Sequence, residues 1–62
     1  MNTYFSVVYL LNEKGESKMR LGSEIQAKEI PENSYKVTPL GEVWVNWFFT
    51  KEDAIKYLKF QI

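Results

Sequence analysis

A chain of 62 residues with no cysteine and no histidine has room for one core, and it excludes disulfides, thiolate or imidazole metal sites and most redox chemistry. Eight basic residues balance eight acidic ones, with four of each sign in residues 1–31 and four in 32–62. That balance disfavours both a phosphate-binding basic surface for duplex nucleic acid and an acidic mimic of one. The hydrophobic share of 45% and aromatic share of 16% argue against disorder and for one small domain over residues 1–62.

The apolar run Phe5–Leu11 has no positive charge before it, and Asn12-Glu13-Lys14-Gly15 follows where a cleavage site would need small residues. It is too short to cross a bilayer. A cytoplasmic protein without membrane association is the simplest expectation.

Thr3 to Leu11 is rich in β-branched and aromatic residues and reads as a strand, with Phe5, Val7, Tyr9 and Leu11 on one side and Tyr4, Ser6, Val8 and Leu10 on the other. Asn12-Glu13-Lys14-Gly15 predicts a hairpin loop with glycine in a left-handed conformation. A second strand from about Ser17 alternates, with Met19 and Leu21 inward and Lys18 and Arg20 outward. Gly22 marks a bulge or bend.

Two local codes compete over Ser23–Ile30. Ser23 with Gln26 resembles a helix capping box, and Glu24 and Lys28 form a helical pair. Ile25 and Ala27 instead continue the odd-numbered inward alternation, and Pro31 would stop a helix early, so continued strand is the preferred reading. Pro31-Glu32-Asn33-Ser34 is expected to turn, Tyr35–Thr38 to form a short third strand, and Pro39-Leu40-Gly41 to turn again.

Val43 to Phe49 is the strongest strand signal, with Val43, Val45, Trp47 and Phe49 on one side and Trp44, Asn46 and Phe48 on the other. Thr50 with Asp53 three residues on marks a helix start. Ala54, Ile55, Leu58 and Ile62 recur at helical spacing, giving a terminal helix from Lys51 to about Phe60. The order β-β-β-β-α predicts an α+β fold, a small antiparallel sheet of three to four strands with one helix on one face.

Candidate chemistry is sparse. The serines lie in no nucleophile elbow or Ser-x-x-Lys arrangement, and the carboxylates gather at predicted turns where solvated charge is the default. Three scattered glycines make no phosphate loop. No catalytic residue, metal site, cofactor or small-molecule substrate is expected.

The aromatic residues carry more information. If Val43, Val45 and Trp47 face the helix, then Trp44, Asn46 and Phe48 are left on an open face with Tyr4, flanked by Lys18 and Arg20. Aromatics beside cations suit a protein interface, where tryptophan, tyrosine and arginine dominate binding energy. The first expectation is therefore a non-catalytic interaction protein that binds or inhibits another protein, in the manner of small phage-type accessory proteins. The same apolar face also predicts a homodimer. The alternative is single-stranded nucleic-acid binding, with Trp44, Phe48 and Tyr4 as stacking surfaces and Lys18 and Arg20 on the backbone.

Overall fold

The computed structural model describes residues 1–60. Its elements are β1 (Asn2–Leu11), β2 (Ser17–Ala27), β3 (Ser34–Thr38), β4 (Gly41–Phe48) and α1 (Lys51–Phe60). The four strands form one antiparallel sheet in the order β2-β1-β4-β3, and the helix packs against β1, β2 and β4. The fold is α+β, with a Cα trace of 39 × 23 × 13 Å. Ile62, the last residue of the apolar helical stripe, lies outside the described residues.

The β1–β2 hairpin is closed by Asn12. Its side-chain oxygen accepts from the backbone N–H groups of Lys14 and Glu16, while its own N–H donates to the Glu16 carbonyl. Gly15 supplies the positive φ of 82° that this turn requires. At the helix start Thr50 Oγ1 accepts from the Asp53 N–H at 3.0 Å, satisfying one of the orphan donors of the first turn. Glu52 and Asp53 lie at the positive end of the helix dipole.

Ser23–Ala27 continues as strand, so the alternation outweighs the local helix code. Its inward pattern does not continue, however. The β1–β2 register shifts between Phe5 and Val7, which inserts one extra residue near Gly22 and Ser23. Before the bulge Met19 and Leu21 stand opposite Tyr9 and Val7; after it Ile25 and Ala27 stand opposite Tyr4 and Asn2. Ile25 and Ala27 thus lie on the other side of the sheet from Met19 and Leu21, and the expectation that all four point inward together is corrected.

The expected turn at Pro31–Ser34 is also corrected. The chain bends at Lys28–Glu29 and then runs without regular structure through Ile30–Asn33. Topology requires this, because β2 and β3 occupy opposite edges and their connection must reach past two intervening strands. Asn33 fastens its far end by accepting from the Trp47 N–H at 2.8 Å. β4 ends at Phe48, one residue earlier than expected, and Phe49 lies in the bend before the helix.

Candidate binding face

Which side of the sheet the helix covers follows from pairing. Phe5, Val7 and Tyr9 of β1 stand opposite Phe48, Asn46 and Trp44 of β4, and directly paired residues share a face. Tyr57 of α1 lies with its ring 5.2 Å from that of Phe48, and its hydroxyl accepts from Asn46 Nδ2 at 3.4 Å. The helix therefore covers the side carrying Phe5, Val7, Tyr9, Trp44, Asn46 and Phe48. Val7 and Ala54 are fully buried there.

This inverts the expected sides of β4. Val43, Val45 and Trp47 lie on the helix-free side, paired with Leu10, Val8 and Ser6. Trp44, Asn46 and Phe48, expected on an open platform, lie on the helix side. The Trp44 ring packs edge-on against Tyr9 at 5.3 Å and tilted against Tyr35 at 4.9 Å. The structure thus separates the six expected site residues: Tyr4, Lys18 and Arg20 belong to the helix-free side, and the other three do not.

Tyr4 is not available for contact either. It is 4% exposed, with the Phe49 ring edge-on at 5.8 Å. Beside it, Ser6 is 2% exposed and donates to the Ser23 carbonyl at 3.0 Å, so the bulge gives this hydroxyl its partner. That end of the helix-free side is closed. A stacking platform built from Tyr4, Trp44 and Phe48 does not exist as one surface.

The other end is open. Reading across the sheet, Lys36 of β3 pairs with Val43, Val43 with Leu10, and Leu10 with Lys18 of β2. The next row runs Ser34, Val45, Val8, Arg20. Both rows have an aliphatic centre, and the three cations at their ends are exposed. A groove of about 730 Å³ between the two hairpin tips includes Leu10, Val43 and Lys18 in its walls, with Leu40 beside them, and Glu16 and Glu42 also line it. Leu40 is 87% exposed.

Charge is segregated between the two sides. In the strands, the carboxylates are Glu24 and Glu42, which pair with Phe5 and Leu11 and so lie on the helix side. Glu42 is further engaged there as the acceptor of the Tyr35 hydroxyl. That hydrogen bond to a carboxylate, with slight desolvation and the negative charge itself, raises the Tyr35 pKa above its ordinary value. The only ion pair among the described residues is Lys56–Glu52 within the helix, leaving Lys18, Arg20 and Lys36 without a carboxylate at ion-pair distance there.

Sequence alternation alone could not have singled out Lys36, Val43 and Val45, because it sorts each strand into two sides without saying how strands register. Among the described residues no cluster of three or more acidic side chains could hold a metal ion, and no helix is long and apolar enough to cross a membrane. No family model matches the chain, nor does any curated protein or solved structure.

Proposed function

We propose that this chain is a non-catalytic interaction protein, which binds another protein through the helix-free side of its sheet and can inhibit that protein by occupying its surface. The observation that carries the reading is the state of the central strands. Val8, Leu10, Val43, Val45 and Trp47 are all only half-buried on a side that α1 does not reach. Central strands ordinarily bury both faces or leave one polar, and a contiguous apolar patch on a small domain marks an interaction surface.

The scarcity of buried apolar groups supports the same reading. Among the described residues only Tyr4, Val7 and Ala54 are buried hydrophobics, although 45% of the chain is hydrophobic. A domain this small has little core of its own, and a partner layer on the open side would add one.

The test is to capture host proteins on the immobilised chain, identify what is retained, and repeat the binding with both components pure. Amide shifts of the labelled chain should then change at Val8, Leu10, Val43 and Val45. Changes confined to α1 and its covered side would overturn the reading.

A further inference from the structure

We propose that the occupant of the helix-free side is an amphipathic helix of another protein, apolar along one stripe and acidic on both flanks. This rests on the reading above and deepens it by naming the partner's chemistry. The row Lys36–Val43–Leu10–Lys18 places a cation at each end of two aliphatic residues. Three strand spacings separate the two lysines, roughly 14 Å at the usual 4.8 Å per strand. A helix with its side chains is about 10–12 Å across, so one lying over Leu10 and Val43 can set carboxylates against both cations at once. Arg20, two residues along β2, extends the positive flank beside Val8.

Charge selects among the possible occupants. A second copy of the chain would bring the same side face to face with itself. A two-fold axis along the strands sets β2 against β3, and one across them sets β2 against β2. Since Lys18 and Arg20 lie on β2 and Lys36 on β3, cation meets cation either way, without an intervening carboxylate from the strands. Single-stranded nucleic acid would satisfy the cations, but bases need rings to stack on. The floor between the lysines is Leu10 and Val43, Trp44 and Phe48 are packed on the helix side, and the half-buried Trp47 lies two rows away opposite Ser6, outside the span between the lysines. An acidic, apolar-striped helix meets both the floor and the rim. Such a helix would cover the sheet as α1 covers its other side, completing three layers.

The experiment uses the full chain and three probes: a designed amphipathic helical peptide with a leucine stripe flanked by glutamates, the same peptide with lysines for glutamates, and an oligothymidylate. Binding is followed by calorimetry and by amide shifts, and the free chain is run in analytical ultracentrifugation. The acidic peptide is expected to bind and to move the Leu10 and Val43 amides. Its affinity is expected to fall about tenfold or more in a Lys18→Glu/Lys36→Glu double variant, whose exposed positions leave the fold intact, and to weaken with salt. The lysine peptide is expected to bind that double variant and not the parent.

Equal binding of both peptides, preference for the oligonucleotide, or a stable dimer through this side would each overturn the proposal. If the acidic peptide fails while a captured protein still moves Val8, Leu10, Val43 and Val45, the helix proposal falls and the interaction reading stands. If neither moves them, both fall.

Discussion

Tyr9 and Trp44 stand directly opposite each other across the β1–β4 pairing, with ring centroids 5.3 Å apart and planes inclined at 64°. Because Trp44 also meets Tyr35, it is held by rings from both neighbouring strands. Trp47 has no such ring partner among the described residues. Aromatic pairs contribute about 0.5–1.5 kcal/mol each beyond burial. Trp44→Ala is therefore expected to destabilise the chain by roughly 1–3 kcal/mol more than Trp47→Ala. Urea denaturation of the two variants checks the order, and a larger loss in Trp47→Ala would contradict the assignment of sides.

That outcome reverses what alternation alone suggests, and the reason is physical. The two faces of β1 and of β4 are both apolar, so each strand's own pattern fits either orientation; the register, a property of the pair, decides. Phe5, Val7 and Tyr9 were legible as the covered side of β1, and the β4 residues joined to them turned out to be the even-numbered ones. Signals confined to a few adjacent residues were fully legible: the Thr50 cap, the Asn12 turn and the start of α1 at Lys51. Signals that depend on distant neighbours were not. Pro31 lies in an extended connection because β3 pairs at the far edge, which no local composition records.

Thr50→Ala is expected to cost about 0.5–2 kcal/mol, since the Asp53 N–H loses its side-chain acceptor. Thermal melts of wild type, Thr50→Ala and Thr50→Ser measure it. Serine is expected to retain most of the stability, because its hydroxyl can serve as the same cap.

Gly15 and Gly41 both have positive φ, 82° and 136°, but their surroundings differ. A Cβ on Gly15 would have no atom within 4 Å, whereas one on Gly41 would lie 2.2 Å from the Leu11 carbonyl oxygen and 2.8 Å from the Asn12 Cα. Gly15→Ala is expected to cost only the left-handed backbone penalty of about 1–2 kcal/mol. Gly41→Ala must also push backbone apart between the hairpin tips, and is expected to cost more. Equal denaturation midpoints for the two variants would contradict this.

Tyr35 supplies a pH dependence. Its folded pKa is raised by the Glu42 hydrogen bond, so folding favours the protonated phenol. The associated stability is complete below the ordinary tyrosine pKa, near about 10, and is lost as pH rises through the higher folded value. Ultraviolet titration of tyrosinate should show a late-titrating component that disappears in Tyr35→Phe and moves earlier in Glu42→Gln. An unchanged late component in both variants would assign it to another tyrosine.

The extra residue at the β2 bulge acts as a phase shifter for everything downstream of it. With it, Ile25 and Ala27 share a side with Lys18 and Arg20, and Glu24 stands opposite Phe5 on the other. Were the extra residue paired in regular register, so that Ser23 stood opposite Phe5, these sets would exchange, bringing a carboxylate onto the side that now has only cations in its strands and moving two apolar residues off it. Whether this one residue is bulged out or paired therefore decides the surface that β2 offers, without altering the identity of any residue.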